Sequence, residues 1–333
     1  MLVSTAALIL AMAPAAPPAT APAVAAADTV VITEWLVPYE ESRPRDPYVA
    51  PDGRVWFVGQ RTDYVAVFDP NTGEFERFDL PEGTGPHNLI VDSDGTVWYA
   101  GNRAAHIGKL DPVTGEIEQI ATPDPPAGDP HTLVFAPDGN IWFTVQGGNV
   151  VGRLQTTTGE MRLLPVETAR ARPYGIVTAQ NGRPWVALFG TNKLATVDTE
   201  TMQLVEIELP RDDARPRRLV LTSNGNVWYV DHAKGFLGRY SPTSGQFEEW
   251  EMPSGSSSRP YAMVVDDRDR LWIVETGVTP NRFVGFDSAA GEFFAATEIE
   301  SGGGSVRHMH YDRRTQSVWF GTDTNYLGRA QLP

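Results

Sequence analysis

Seven positions carry side chains suited to holding an anion or acting on one: Arg45, His87, His131, Tyr174, Arg217, Tyr261 and Arg307. None is aliphatic and none is acidic. Arginine offers a planar fork of donors that fits carboxylate or phosphate, and histidine and tyrosine can carry a proton. Taking each position with two residues before it and one after gives 28 residues. They hold Arg43, Arg45, Arg172, Arg215, Arg217, Arg218, Arg259 and Arg307 against only Asp46 and Asp129. This is a local net charge of +6 in a chain whose formal charge is −15. Asp212, Asp213, Asp231 and Glu275 are available to tie some of these arginines into ion pairs. From sequence, a ligand site and a structural pairing scheme are both open.

What places these residues is a repeat. Trp56, Trp98, Trp142, Trp185, Trp228, Trp272 and Trp319 recur every 42 to 47 residues. Six of the seven positions lie eleven residues before a Trp, and Arg307 lies twelve before the last. Each unit reads as four short strands, as in Pro86-His87-Asn88-Leu89-Ile90-Val91, Thr96-Val97-Trp98-Tyr99, His106-Ile107-Gly108-Lys109-Leu110 and a last strand ending near Pro123. Asp52-Gly53, Asp94-Gly95, Asp138-Gly139, Asn181-Gly182 and Asn224-Gly225 mark one recurrent tight turn, and Thr72-Gly73, Thr114-Gly115, Thr158-Gly159, Ser244-Gly245 and Ala290-Gly291 mark another. A strand-rich repeat of this period predicts an all-β fold, a seven-bladed β-propeller with four antiparallel strands per blade.

Seven units of about 43 residues occupy roughly 301 residues, which leaves no room for a second domain. Residues 28–333 are therefore expected to form a single propeller. The last unit ends at Tyr326 to Gln331 without a fourth strand, and Val30-Val31-Ile32-Thr33-Glu34-Trp35 supplies a spare one. The N-terminal strand should complete the last blade and close the ring, which removes exposed sheet edges. In this frame the seven Trp are core between blades, and the seven Arg, His and Tyr positions start the innermost strands beside the central channel.

A second set of positions sits three and four residues after each Trp, where the second strand returns to the same face. Units one to four offer Gly59-Gln60, Gly101-Asn102, Val145-Gln146 and Leu188-Phe189. Units five to seven offer Asp231-His232, Glu275-Thr276 and Thr322-Asp323. A carboxylate beside Arg and His can act as general base or share a divalent cation, which makes Glu275 and Asp323 candidates for either role. The alternative is that they neutralise the arginines. Arg259 and His308 join the candidate ligand-binding set. His308-Met309-His310 puts two imidazoles on one strand face, a weak metal signal without a third ligand.

Composition narrows the classes. There is no cysteine, hence no disulfide, thiolate metal site or cysteine nucleophile. The acidic balance argues against nucleic acid as a partner. Neither Gly-x-Ser-x-Gly, a phosphate-loop glycine pattern nor His-Glu-x-x-His occurs. Residues 1–27 carry no charge, contain an apolar run from Leu2 to Met12 and end in small residues. They read as a signal peptide, too short in its apolar run to span a membrane. The expectation is an exported, periplasmic or secreted monomer with no membrane span.

Arg172-Pro173-Tyr174-Gly175-Ile176, Arg259-Pro260-Tyr261-Ala262-Met263, Asp138-Gly139-Asn140-Ile141-Trp142-Phe143-Thr144 and Val151-Gly152-Arg153-Leu154 resemble the repeats of the virginiamycin B lyase (streptogramin lyase) family along essentially the whole mature chain. The resemblance implies the seven-bladed architecture. It also implies an enzyme that opens an ester ring by elimination with help from magnesium, using groups in the last two blades. At those places this chain has Tyr261 for a His, Ser305-Val306-Arg307 for Glu-Pro-His, and Asp323 for a Glu. Streptogramin opening is therefore left open, while elimination on another substrate is compatible with Tyr and Arg.

Three readings follow. In the first, a C–O lyase acts on an ester or anionic substrate: Arg45, Arg217 and Arg307 grip the oxyanion, Tyr261 moves the proton, and Glu275 or Asp323 is base or metal ligand. In the second, a non-catalytic propeller binds a small anionic or polar ligand, or a protein, through the same face with His87, His131 and Tyr174. The third is a gluconolactonase-like hydrolase with calcium held by Glu, Asn and Asp in the channel.

Overall fold

Runs of five or six residues with apolar alternation, broken by turns that need a positive φ, dictate short antiparallel strands. The computed structural model describes residues 30–123 and 125–333. The expected leader, residues 1–27, lies outside the described residues. The glycines of the five Asp-Gly and Asn-Gly turns all have φ between 78° and 94°, the left-handed region that only glycine enters without strain.

Seven four-stranded antiparallel sheets result. In blade 1 the strands are Pro44–Val49, Val55–Gly59, Tyr64–Asp69 and Glu74–Asp79, hydrogen-bonded in chain order. Blades 2 to 6 repeat this order. Their innermost strands are Pro86–Val91, Pro130–Phe135, Pro173–Thr178, Pro216–Leu221 and Pro260–Val265. Blade 7 contributes only Met309–Asp312, Ser317–Gly321 and Tyr326–Gln331, and Val31–Leu36 pairs antiparallel with the last of these. The N-terminal strand thus closes the ring as its residues predict. No helix among the described residues is long and apolar enough to cross a membrane.

The repeated Trp are core. All seven are at most 6% exposed, and each packs in an apolar cluster with the next blade. Trp142 lies with Ile176 and Val186, Trp272 with Val318 and Phe320, and Trp319 with Val49 and Phe57 of blade 1. An indole removes about 200 Å² from water, so each seam gains on the order of 5 kcal/mol before chain entropy is counted. The residue after the Trp is often aromatic and lies over a glycine of the third strand. Phe143 opposes Gly152 and Tyr229 opposes Gly238, and a methyl at either glycine would collide with the ring.

The innermost strands carry the feature that matters for the site. In blades 1 to 6 the register with the second strand shifts next to the ring position: between Arg45 and Tyr48, Pro86 and Leu89, Pro130 and Leu133, Pro173 and Ile176, Pro216 and Leu219, and Pro260 and Met263. A bulge re-aims side chains and breaks the two-residue alternation.

Candidate functional site

At the mouth of the channel, the residue two before the ring position is held in the left-handed region in three blades: Arg43 (φ 50°), Arg172 (φ 53°) and Arg259 (φ 43°). Gly85 (φ 53°) fills the same place in blade 2 without strain. A non-glycine residue there costs on the order of 1–3 kcal/mol and persists where surrounding structure holds it. Here the holding is visible. The carbonyls of Arg43, Arg172 and Arg259 accept amides from Gln60 (3.5 Å), Phe189 (3.2 Å) and Thr276 (3.4 Å). Each innermost strand is thereby pinned to the end of its second strand, and Arg172 and Arg259 project outward exposed.

Six of the seven predicted ring residues assemble, all but Arg307. The His87 and His131 rings lie 3.5 Å apart between centroids, and His131 lies 4.2 Å from Tyr174. The Tyr174 and Tyr261 hydroxyls meet in a short hydrogen bond across the channel. Arg217 stands over both phenols, 5.1 Å from Tyr174 and 3.8 Å from Tyr261, and 4.5 Å from Phe189. Its Nε has no partner among the described residues. Arg45, His87, His131, Tyr174 and Tyr261 are all at most 6% exposed. The ring is accordingly a packed plug with polar edges rather than an open funnel.

Beneath it runs a second tier. In blades 1, 2, 3 and 5 the bulges let Asp46, Asn88, Thr132 and Arg218, each one residue after a ring position, turn into the channel as well. His308 joins them from the start of blade 7, before its first paired residue Met309. Arg218 crosses from blade 5 to donate to Thr132 Oγ1 (3.2 Å), the Arg307 carbonyl (3.1 Å) and Asp46 Oδ2 (3.4 Å). Asp46 also accepts from Arg45 Nε (3.0 Å) and Asn88 Nδ2 (3.1 Å). Gly175 makes room, because a methyl there would lie 2.6 Å from the Arg217 carbonyl and 3.0 Å from the Arg218 Cα. Two guanidinium groups, on Arg45 and Arg218, thus share one carboxylate.

The electrostatic consequences are consistent. Burial would raise the Asp46 carboxyl, but Arg45, His308 and Arg218 hold it well below the usual range. Burial, reinforced by Arg45 and Arg218, pushes His87 and His131 well below the ordinary imidazole value, and His308 down to about 3. For Tyr174, burial would raise the phenol, yet Arg217, Arg218 and Arg45 outweigh it and bring it down to about 8. Its partner Tyr261 is pushed up by burial and then by the charge of Tyr174. The pair can hold one phenolate at modest cost.

The remaining sequence candidates fall elsewhere. Arg307 starts blade 7 and grips Asp323 with both terminal nitrogens, one at 2.6 Å, and Arg43 adds a contact at 3.4 Å. Glu275 is fully buried and turned to the Ser254 amide and hydroxyl (both 2.8 Å) and Arg282 (2.9 Å), so it is not brought into the ring. Of each pair after the Trp, only the second member reaches the ring side: Gln60 meets Arg45, Phe189 and His232 meet the aromatic cluster, and Asp323 meets Arg307.

Magnesium or a channel calcium would require clustered oxygen donors. Among the described residues no group of three or more His, Asp or Glu is placed to hold an ion. Asp323 and Glu275 already have arginine partners. This donor set does not suit either cation.

Strand alternation would turn His308 away from the ring, and Asp46, Asn88, Thr132 and Arg218 give no signal by alternation either. The one available hint was Arg218, the last of the basic run from Arg215. Two hollows flank the tiers. One of about 530 Å³ at the mouth is lined by Gln60, His87, Asn102, Asp129, His131, Gln146 and Arg172 among others. The other, about 360 Å³, is lined by Arg218, His308 and later residues of the inner strands of blades 4 to 7.

Comparison with known proteins gives a consistent picture. Virginiamycin B lyase from Staphylococcus aureus is similar in structure, with 22% identity, TM-score 0.82, and 91% of this chain and 100% of that chain covered. A catalytically inactive variant of the same enzyme with quinupristin matches at 23% identity, TM-score 0.83 and the same coverage. Hydrazine synthase of Kuenenia stuttgartiensis shares 14% identity over 88% of this chain and 96% of that chain, with TM-score 0.73. These likenesses show the fold. No curated protein matches the chain significantly. The model of the virginiamycin B lyase family matches residues 26–329, and on that near-complete match the chain belongs to this family.

Proposed function

We infer that the protein is an exported propeller of this family that binds an ester or anionic ligand at the channel mouth and acts on it as a C–O lyase. The observation that carries the reading is Arg217. It is half-buried at the mouth, has no carboxylate partner among the described residues, and stands over two phenols that share a hydrogen bond. An elimination needs a base and a cation for the charge that develops. Tyr174 as phenolate takes the proton next to the C–O bond. That electron pair becomes the new C=C bond, the C–O bond breaks, and a carboxylate leaves. Arg217 offsets the charge on the carbonyl side, and Tyr261 keeps its proton and supports the phenolate.

A second reading, binding without turnover, is favoured by the two carboxylates first considered as bases. Asp323 is neutralised by Arg307 and Arg43, and Glu275 by Arg282. Quinupristin, the ligand of the similar inactive lyase variant, separates the readings. A lyase yields a ring-opened isomer of unchanged mass, abolished in Tyr174→Phe and weakened in Arg217→Met. A product heavier by one water means a hydrolase and sinks the elimination. Binding without conversion, lost in Arg217→Met, selects the second reading, and absence of both rejects the mouth as a site for this class of ester. Export, supported by the uncharged apolar residues 1–27, is checked by cell fractionation and N-terminal sequencing of the mature chain.

A further inference from the structure

The hollow at the mouth over blades 1 to 4 has a wall polarity that the lyase reading does not use. Gln60 Oε1 accepts from Arg45 (3.1 Å) and Arg43 (3.5 Å), and Gln146 Oε1 accepts from Arg172 (3.3 Å). A guanidinium can only donate, so both amides are fixed with oxygen toward arginine and their NH2 groups left for something else. The floor is made by His87 and His131. Thr132 Oγ1 accepts from Arg218 (3.2 Å) and lies 2.8 Å from His131 Nδ1. The arrangement that strands no hydroxyl proton has Thr132 donating to Nδ1, which puts the imidazole hydrogen on Nε2. Among the described residues that Nε2 has no partner although His131 is 1% exposed, and His87 Nδ1 and Arg45 Nη2 are likewise buried and unpartnered there.

The one acid in the lining is occupied. Asp129 takes the Gly147 amide (2.8 and 3.1 Å) and the Gly148 amide (3.4 Å). Asn102 spends its NH2 on the Pro130 carbonyl (2.9 Å). What remains is a set of converging donors, two amides and an imidazole N–H, backed by the buried guanidinium of Arg45. Unmade hydrogen bonds on buried donors are costly, and a charged acceptor repays them better than a neutral one.

We propose that this hollow, lined by Gln60, His87, His131, Gln146 and Arg172, is a carboxylate-binding subsite that holds the anionic end of a small organic acid or of a larger ligand. It rests on the mouth being a ligand site and is independent of any turnover at Tyr174. Its volume accommodates a short dicarboxylate. Its donors favour a carboxylate, with two charged acceptor oxygens, over the corresponding amide, which offers one neutral acceptor beside an NH2 group with no acceptor to meet.

The test is isothermal titration with succinate and with succinamide on the intact protein. Succinate is expected to bind and succinamide to fail. Gln60→Glu and Gln146→Glu, isosteric changes that keep their arginine partners, should each weaken succinate at least about tenfold. Gln119→Glu adds the same charge on an exposed outer strand of blade 2 and should leave affinity unchanged. Equal binding of succinamide, equal weakening by Gln119→Glu, or no binding of succinate would each overturn the subsite. Conversion of quinupristin would still stand in any of those cases, because it is read separately.

Discussion

The guanidinium of Arg218, in blade 5, reaches the carboxylate of Asp46, in blade 1, at 3.4 Å across the channel and 172 residues away in sequence. Both side chains are at most 4% exposed, and among the described residues Asp46 is the carboxylate paired with both Arg45 and Arg218. Removing one partner of a buried charged network leaves the other uncompensated, at a cost of about 3–5 kcal/mol. Asp46→Asn should therefore destabilise the fold by that order in chemical denaturation, with the Arg45 and Arg218 guanidinium groups left together. Arg218→Met should cost less, because Arg45 still neutralises Asp46. Equal stability of Asp46→Asn and the wild type would contradict this account of the channel.

Five histidines give the protein an acid-side weakness. His87 and His131 lie well below the ordinary imidazole value, His308 is lowered to about 3, and His232 and His310 to about 4, in every case chiefly by burial. Between about pH 6.5 and 4 the unfolded chain binds protons that the folded one refuses, so stability is full above 6.5 and falls as the pH drops through this window. Each histidine contributes up to about 1.4 kcal/mol per pH unit there. Asp46, depressed instead by its arginines, loses its share only at still lower pH. Unfolding free energies from pH 7.5 to 4.5 check this, and a flat profile above pH 5 would contradict it.

The phenol pair can be read directly. One tyrosine should ionise near pH 8 in the tyrosinate absorbance, well ahead of the rest, because Arg217, Arg218 and Arg45 surround Tyr174. Tyr174→Phe should remove that step. Arg217→Met should move it to higher pH, since the largest of the favourable charges is gone. A first step that survives Tyr174→Phe unchanged would place the ionising phenol elsewhere.

Gly175 tests the close approach behind Arg218. Its φ is unexceptional, so Gly175→Ala carries no backbone strain, and its cost comes from contacts of 2.6 and 3.0 Å with the backbone of Arg217 and Arg218. Overpacking of this kind costs about 1–3 kcal/mol. Denaturant melts should show a loss in that range, together with a higher Tyr174 titration as Arg218 is displaced. A gain in stability would mean that blade 5 has room to move.

Much of the architecture was legible because it is locally encoded. Asp-Gly and Thr-Gly turns, the Trp period and the missing fourth strand of the last unit are read from neighbouring residues, and Val31–Leu36 does pair where the count requires. The ring column was legible too, since an eleven-residue offset from a buried Trp fixes its place on the innermost strand. Glu275 shows the limit. Thr276 is the very next residue, and that single step decides between the blade interior and the ring side. Asp323 and Arg307 show another: both were visible as chemistry, but their pairing depends on how the Gly302-Gly303-Gly304 segment brings the start of blade 7 back to the second strand.

The sequence by itself determined the seven blades, the seams built on Trp, the closure and the concentration of arginine at one mouth, because each follows from turn chemistry and short-range periodicity. Only the tertiary structure decided that adjacent residues such as Arg217 and Arg218 both face the channel, since the bulges abolish the alternation that a one-dimensional reading must assume. It alone decided which charges are shared, because Arg218, Asp46 and Thr132 become neighbours only when the ring has closed and blades distant in sequence face one another across a few ångströms.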